Sequence, residues 1–172
     1  MSHRDYVLLA FDKLFSAPQL KNKTLLDVGC RGNAMKGKLE ERGVIWTGLD
    51  ISPQGGADKG DMCAMPYTDK KFDIIFACHS LEHVETPLTA LREFKRVMKD
   101  DGVMFIATPN PCEHQITKGD PDHIFVMNVM QMEKWLEYVK INKIGCYLQT
   151  EGVPREQDYN VITVGRKPKE KE

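Results

Sequence analysis

The sequence lacks the features that would direct it to a membrane or to an oxidising compartment. Its 172 residues contain no apolar run long enough to span a bilayer, and its first residues lack the apolar core of a signal peptide. The five cysteines are scattered and never form a C-x-x-C pair, which argues against a disulfide framework and against a cysteine zinc site. We therefore expect a cytoplasmic protein that does not bind a membrane.

A strong charge of either sign is also lacking. The formal net charge is -1 at pH 7, so the composition does not indicate a nucleic-acid partner, although a local basic patch stays open. Hydrophobic residues make up 41% of the chain, enough for one well-packed core at this length. We expect a single domain over residues 1–172, as a monomer or a homodimer.

The glycine fingerprint of dinucleotide-binding proteins is incomplete. The apolar run over residues 24–28 predicts a buried parallel strand, and Gly29 and Gly32 follow it without a third glycine in register. Glycine lets a ligand approach the main chain closely, and open α/β sheets bind ligands outside the carboxyl ends of their strands. The pattern predicts a ligand loop at this point and disfavours a nicotinamide-dependent oxidoreductase.

The same stretch resembles the first motif of class I S-adenosylmethionine-dependent methyltransferases, an acid and an apolar residue followed by G-C-G-x-G. The sequence matches that motif at Asp27, Val28, Gly29 and Cys30. It departs at Arg31, where the family usually has glycine, and the next glycine is Gly32. The resemblance implies that Asp27 and residues 29–32 form the cofactor loop, around the methionine part of S-adenosylmethionine. The departure leaves open a catalytically silent module that binds this cofactor.

Two further acids follow predicted strands and are candidates for the same site. Asp50, with Ile51 beside it, follows the glycine loop at the interval where an acid meets ribose hydroxyls in nucleotide-binding α/β units. A carboxylate suits this task because it accepts two hydrogen bonds from a vicinal diol. By the resemblance, Asp61 would lie near the adenine amino group and Met62 against the ring. Each acid is equally compatible with an ordinary loop.

The most specific resemblance lies after the fourth predicted strand, residues 71–78. Its F-D-hydrophobic-hydrophobic run leads to L-E-H-V at residues 81–84, typical of the methyltransferase group that includes ubiquinone-biosynthesis enzymes. The match covers residues 24–111. It implies methyl transfer from S-adenosylmethionine to an oxygen or nitrogen nucleophile of an unidentified acceptor, with Cys78 and His79 closing the cofactor pocket.

A histidine-rich cluster allows two interpretations. His79, Glu82 and His83 spell the H-x-x-E-H pattern of some zinc proteases, but they follow a strand instead of lying on a long helix, which disfavours a protease. Some ubiquinone and small-RNA methyltransferases bind a divalent ion through E-x-x-E-H, and the RNA enzymes add a histidine in D-H-x-F, similar to His123. One interpretation is therefore a metal-assisted RNA 2'-O-methyltransferase. The other, which we expect, has no metal and uses His79, His83 or His123 as general base.

The predicted fold is a compact Rossmann-like α/β domain. We expect a doubly wound sheet that is mostly parallel, with an antiparallel C-terminal strand pair. The predicted order is an N-terminal helix within residues 1–20 and a cofactor-binding core over 21–111. A substrate-side loop, a helix and the last strands follow over 112–165, and a charged tail over 166–172.

Turn-forming and capping residues predict where several elements begin and end. Pro18 should end the N-terminal helix, and a helix should cover residues 33–42. Thr86 should cap the helix after the fourth strand, and residues 100–102, Asp-Asp-Gly, should form a turn. Asn128 should start a late helix as its cap, with a glutamine three residues on.

Overall fold

A computed structural model describes residues 3–111, 121–150, 153 and 159–169. The strands are β1 Thr24–Val28, β2 Ile45–Asp50, β3 Asp58–Lys59, β4 Phe72–Cys78, β5 Met98–Pro109, β6 Asn142–Gln149 and β7 Asn160–Arg166. The helices are α1 His3–Leu14, α2 Ala17–Leu20, α3 Lys36–Glu40, α4 Pro87–Val97 and α5 Val129–Tyr138, with a 3-10 turn at Leu81–His83. Among the described residues, no helix combines the length and the apolar character needed to cross a bilayer. Most of the predicted substrate-side loop and the end of the predicted tail lie outside the described residues.

The seven strands form one sheet in the order β3-β2-β1-β4-β5-β7-β6. Pairing is parallel from β3 to β5, whereas β7 is antiparallel to both β5 and β6. The predicted mostly parallel sheet with an antiparallel C-terminal pair is confirmed. Val28 lies opposite Leu49 on one side and Ala77 on the other, so β1, β2 and β4 end side by side. Their following loops therefore meet at one edge of the sheet.

Apolar side chains cover both faces of the sheet. Successive residues of a strand point to opposite faces, so Leu25 and Leu26 of β1 belong to different core clusters. One cluster packs against α4 through Leu91 and Phe94, and the other packs against α1 through Phe11. This burial on both faces explains why the central strands are continuous apolar runs in the sequence.

The helix after the glycine loop is shorter than predicted. The prediction of residues 33–42 was too long at its start, because α3 covers only Lys36–Glu40 and turns occupy residues 31–35. Arg31 and Asn33 have positive φ angles of 44° and 59°. These left-handed conformations cannot continue a right-handed helix. The loop at the carboxyl end of β1 is correspondingly longer.

One of three predicted helix boundaries differs from the structure, and a second lacks its predicted side-chain cap bond. Pro18 does not lead directly from α1 into a strand but lies in the first turn of α2, where its missing N–H removes no helical hydrogen bond. The start of α4 is as predicted, with Thr86 at the N-cap position, but the Thr86 side chain makes no hydrogen bond to the helix. The predicted cap of α5 is confirmed, since the Asn128 side chain accepts a hydrogen bond from the backbone N–H of Gln131 at 2.8 Å.

The predicted turn at residues 100–102 is an irregularity within β5. Phe72 pairs with Met98, but two residues later Ile74 pairs with Val103. Between these two paired positions β5 has four residues, whereas β4 has only one. The polar Asp-Asp-Gly stretch bulges out of the ladder, and the strand then continues, so no separate turn forms.

The predicted charged tail begins too early in the sequence. Arg166 is still part of β7, and Lys167 is buried with only 4% of its surface exposed. Its Nζ donates a hydrogen bond to the backbone oxygen of Met98 at 2.9 Å and lies 3.5 Å from an Asp100 oxygen. A buried ammonium group keeps its charge only with such partners. The tail prediction was therefore wrong at its first two residues.

Asp73 ties three strands together at the amino-terminal edge of the sheet. Its Oδ2 accepts hydrogen bonds from Thr24 Oγ1 at 2.7 Å, from the Thr24 backbone N–H at 3.0 Å and from Lys99 Nζ at 2.8 Å. Burial raises the pKa of this carboxyl, but the hydrogen bonds outweigh burial and lower the pKa from 3.8 to about 2. The ionised form therefore stabilises the folded state.

We expect the Asp73→Asn substitution to lower the free energy of unfolding by about 1–2 kcal/mol at neutral pH. Because the folded pKa lies below the unfolded value, the stabilisation is complete above about pH 4 and is lost as the pH falls towards 2. Urea unfolding of both proteins at about pH 7 and about pH 3 measures this difference. An equal loss at the two pH values would contradict the role of the charge.

Candidate functional site

A cavity of about 530 Å³ opens where β1, β2 and β4 end. This volume is typical of a small-molecule site. Most of the residues predicted from the sequence to form the site line it: Gly29, Arg31, Asp50, Ile51, Asp61, Met62, His79 and His83. These residues are up to 54 positions apart in the sequence, and the parallel register of three strands brings them together.

Gly29 makes the tightest packing at the floor of the cavity. Its N–H donates to the Leu49 oxygen at 2.8 Å, and its φ angle is 71°. A β-carbon at this position would overlap the β-carbon of Ser80. The conformation and the close approach together require glycine. Gly32 is under no such demand, since a β-carbon at this position would lie 3.6 Å from the end of the Gln54 side chain, an ordinary contact distance.

Asp50 connects the loop after β1 with the loop after β2. Its Oδ2 accepts a hydrogen bond from the backbone N–H of Arg31 at 2.8 Å, and its Oδ1 accepts one from Ser52 at 2.9 Å. Arg31 makes this bond with its main chain, while its side chain is exposed. Each carboxylate oxygen keeps a further lone pair for a ligand hydroxyl.

Asp61 and Met62 form another wall of the cavity. Asp61 Oδ1 accepts a hydrogen bond from the backbone N–H of Cys63 at 2.8 Å, and Met62 packs partly buried against the core. Gly60 precedes them and donates its N–H to the Asp50 backbone oxygen at 3.0 Å. This bond holds the Asp61 segment against the end of β2, so the two acids face one cavity.

The remaining predicted site residues lie outside the cavity lining: Asp27, Cys30, Gly32, Cys78 and His123. Asp27 is buried beside Trp46, whose Nε1 donates to Oδ2 at 3.1 Å. Burial raises the pKa of Asp27 to about 7, partly offset by that hydrogen bond. Burial also raises the pKa of the Cys30 thiol to about 12 and that of the Cys78 thiol. The thiols therefore stay protonated, and the buried residues support the loop from beneath.

A buried carboxylate and three histidines meet beside the cavity. Glu82 is fully buried, and neither of its side-chain oxygens has a hydrogen-bond partner among the described residues. His79 Nδ1 lies 3.4 Å and His123 Nε2 4.0 Å from Glu82 Oε1. The rings of His83 and His123 have centroids 4.8 Å apart. A buried carboxylate needs compensation, so this cluster is a polar site within the protein interior.

Backbone hydrogen bonds hold the two histidine segments together. The Ile124 N–H donates to the Glu82 backbone oxygen at 2.9 Å. His83 Nδ1 lies 3.1 Å from the backbone oxygen of Asp122. Since that oxygen only accepts, Nδ1 is the His83 nitrogen that donates to it. The D-H-x-F and L-E-H-V segments, far apart in the sequence, thus form one site.

Several residues around the cavity were not predicted from the sequence. Ser80 packs against Gly29, and Ser52 bonds Asp50. Each lies two residues after the end of a strand, a position that could have indicated them. Asn160 lies 2.8 Å from the His79 ring through its side-chain oxygen, and the two residues are 81 positions apart. No local sequence pattern indicates such a contact.

Comparison with known families identifies the type of domain in this chain. The family model described as a methyltransferase domain matches residues 26–106. These residues run from β1 into β5 and include the glycine loop, Asp50, Asp61 and the buried Glu82. The matched segment therefore contains most of the cavity described above.

Two relatives show how far the sequence similarity extends. The ubiquinone biosynthesis O-methyltransferase of Haemophilus ducreyi is 31% identical over 111 residues, covering 53% of this chain and 47% of the relative. The enzyme of the same name from Caulobacter vibrioides is 24% identical over 177 residues, covering 92% of this chain and 70% of the relative. The chain spans about half the length of the first relative.

A solved structure shares the whole fold. The S-adenosylmethionine-dependent methyltransferase of Mesorhizobium loti superposes with a TM-score of 0.73 over 94% of this chain and 98% of the other, at 14% identity. At this identity the superposition establishes the fold alone. It agrees with the family match in assigning the sheet to a Rossmann-like architecture.

We expect Gly29→Ala to lower the free energy of unfolding by about 2–4 kcal/mol, from the strained φ angle and the overlap with Ser80. Gly37→Ala is the matched control, because Gly37 lies in α3 with no atom within 4 Å of a β-carbon. It should raise stability by about 0.5–1 kcal/mol. Urea unfolding measures both, and a Gly29→Ala protein as stable as the wild type would contradict the tight packing.

Proposed function

Because this chain belongs to the class I S-adenosylmethionine-dependent methyltransferases, we propose that it transfers a methyl group from S-adenosylmethionine to an oxygen or nitrogen of an unidentified acceptor. S-adenosylmethionine is the cofactor of this family, and S-adenosylhomocysteine is the product. The observation that carries the proposal is the cavity at the ends of β1, β2 and β4, lined by Gly29, Asp50 and Asp61.

In the proposed site, each part of the cofactor has matching protein groups. The close backbone at Gly29 and the loop to Gly32 would hold the methionine part. Asp50 would accept hydrogen bonds from the ribose hydroxyls with the lone pairs that its two backbone partners leave free. Asp61 would accept from the adenine amino group, and Met62 would pack on the ring.

The proposed reaction is an in-line displacement at the methyl carbon. The acceptor atom forms a bond to this carbon while the carbon–sulfur bond breaks, and the sulfur leaves as the neutral thioether of S-adenosylhomocysteine. A hydroxyl acceptor also releases a proton, which His79 or His83 at the cavity, or His123 beside it, would take. Alignment of the acceptor with the methyl group is the main contribution of the protein.

The names of the relatives favour an oxygen atom as the methyl acceptor. The acceptor itself is not carried over from them, because substrate specificity depends on loops and does not follow from the fold. A catalytically silent module is disfavoured, since the Arg31 main chain closes the loop on Asp50. An RNA acceptor, the cytoplasmic location and the monomeric or homodimeric state stay predictions of the sequence.

A second candidate function is metal-assisted methyl transfer to a hydroxyl. One ligand atom each from Glu82, His83 and His123 lie within 4.8 Å of one another. The donors fit a cation, because the Glu82 oxygens lack hydrogen-bond partners among the described residues and His83 Nδ1 faces a backbone oxygen, as in many metal-binding histidines. One carboxylate and two imidazoles favour zinc or another transition metal over magnesium. Such an ion would make a bound hydroxyl easier to deprotonate.

We expect calorimetric titration with S-adenosylhomocysteine to give stoichiometric binding, and NADH to give none. Asp50→Ala should weaken the affinity about 10- to 100-fold, because hydrogen bonds to a charged group contribute about 1.5–3 kcal/mol. Asp12→Ala is the control, since this exposed aspartate pairs with Arg42, away from the cavity lining. Absence of S-adenosylhomocysteine binding by the wild type would refute the proposed function.

We expect the metal-assisted alternative to give measurable binding of Zn²⁺ by calorimetry. Glu82→Gln should weaken that binding at least about 10-fold, because it removes the charged ligand. Glu85→Gln changes an exposed carboxylate in the same loop and should leave Zn²⁺ affinity unchanged. A wild type that binds no Zn²⁺ would exclude this candidate and leave the metal-free mechanism.

A further inference from the structure

A second cavity, of about 230 Å³, lies at the amino-terminal edge of the sheet, opposite the cofactor cavity. Ile74 of β4, Val103 of β5 and Val164 of β7 form its apolar floor. These three residues belong to the core cluster that packs against α1. Helix α1 ends at Leu14, which itself lines the cavity. The sheet face is therefore left open beyond the end of this helix.

Irregularities in two strands shape this second cavity. In β6, Ile144 lies between Lys143 and Gly145, which pair with consecutive residues of β7, so Ile144 is an extra residue in the strand. Its side chain lines the cavity, although 48% of its surface is exposed. In β5, the bulge over residues 99–102 places Asp101 at the same cavity. Bulges redirect side chains and are frequent beside functional sites.

Three side chains at this cavity can donate hydrogen bonds: Gln19, Lys23 and Arg166. The Arg166 side chain is exposed and has neither a hydrogen bond nor an ion pair among the described residues. Gln19 Oε1 already accepts from the backbone N–H of Ser16 at 2.9 Å, which leaves its amide nitrogen to donate. The cavity therefore combines an apolar floor with an unpaired guanidinium group.

The two carboxylates at the cavity are already paired with lysines. Asp73 lies 3.5 Å from Lys23 Nζ and 2.8 Å from Lys99 Nζ. Asp101 Oδ2 lies 3.0 Å from Lys169 Nζ. Together with the unpaired arginine, four cations surround these two carboxylates. The net charge around the cavity is positive, which favours an anionic ligand over a cationic one.

We propose that this cavity is a second small-molecule site, which binds a small carboxylate with an apolar body. The guanidinium group of Arg166 matches the geometry of a carboxylate and can donate two parallel hydrogen bonds to it. The apolar body lies on Ile74 and Val164, beside Ile144. This site does not depend on the proposed function, because the two cavities share no lining residue.

The volume of the cavity limits the size of this carboxylate. An apolar cavity of about 150 Å³ holds one benzene ring. The observed volume of about 230 Å³ therefore admits one ring together with its carboxylate group. It is below the usual range of about 300–1,000 Å³ for larger ligands. Phenylacetate, with one ring and one carboxylate, is a suitable probe.

The experiment is an NMR titration of the full chain with phenylacetate, observed at ¹³C-labelled isoleucine methyl groups. Ile74 and Ile144 report on the second cavity, and Ile51 reports on the cofactor cavity. Substitution of each isoleucine by valine assigns its signal. We expect saturable shifts at Ile74 and Ile144 and none at Ile51. Phenylacetamide, the uncharged isostere, should bind at least about 10-fold more weakly, because charge-assisted hydrogen bonds are the stronger ones.

Two variants separate recognition of the carboxylate from general packing. Arg166→Met keeps an apolar stem but removes the charge. It should weaken phenylacetate at least about 10-fold and change the affinity for phenylacetamide by less than about 2-fold. Lys21→Met is the control, because Lys21 is an exposed cation near the same edge that does not line the cavity. It should leave both affinities unchanged.

Several results would overturn the proposal. One is the absence of saturable shifts at Ile74 and Ile144 up to about 10 mM phenylacetate, and another is shifts confined to Ile51. Equal affinities for phenylacetate and phenylacetamide would show that the carboxylate is not recognised. Unchanged binding of phenylacetate by Arg166→Met, or an equal loss of both ligands, would contradict the role of the guanidinium group. Because Arg166 is exposed, this substitution should not prevent folding.

Discussion

The close approach of Gly29 to Ser80 is the constraint on which the cavity depends. It brings the end of β1 against the residues that follow β4. The Gly29 N–H also donates a hydrogen bond to the backbone oxygen of Leu49, near the end of β2. Gly29, which has no side chain, therefore holds the carboxyl ends of β1, β2 and β4 together. Asp50 completes the arrangement through two backbone N–H groups, so the floor and wall of the cavity are built largely from main-chain contacts.

The protein buries two carboxyl groups near this edge and compensates for them differently. Asp27 accepts a hydrogen bond from Trp46, and burial raises its pKa to about 7, so a protonated form is accessible near neutral pH. Glu82 has no hydrogen-bond partner among the described residues and is surrounded by imidazole nitrogens instead. Asp27 supports the loop after β1, whereas Glu82 places a buried acidic group among histidines beside the cavity.

The contact between Asn160 and His79 shows that side chains of distant strands reach the edge where the parallel strands end. β6 and β7 lie beyond β5, away from the cofactor loops, yet Gln149 and Asn160 reach back to a histidine at the end of β4. The family match ends at residue 106 and includes neither of these two residues.

The sequence by itself determined the sheet, its strand ends and the family. Continuous apolar runs, glycines and acids at strand ends are local signals, so β1, the cofactor loop and the polar residues Asp50, Asp61 and His79 could all be located. The sequence pattern predicted too early a start for α3. Arg31 and Asn33 have positive φ angles, and residues in this conformation cannot belong to a right-handed helix. Only the tertiary structure decided the Asn160–His79 contact and the burial of Glu82 beside His79 and His123, because these depend on side chains that pack together from segments far apart in the chain.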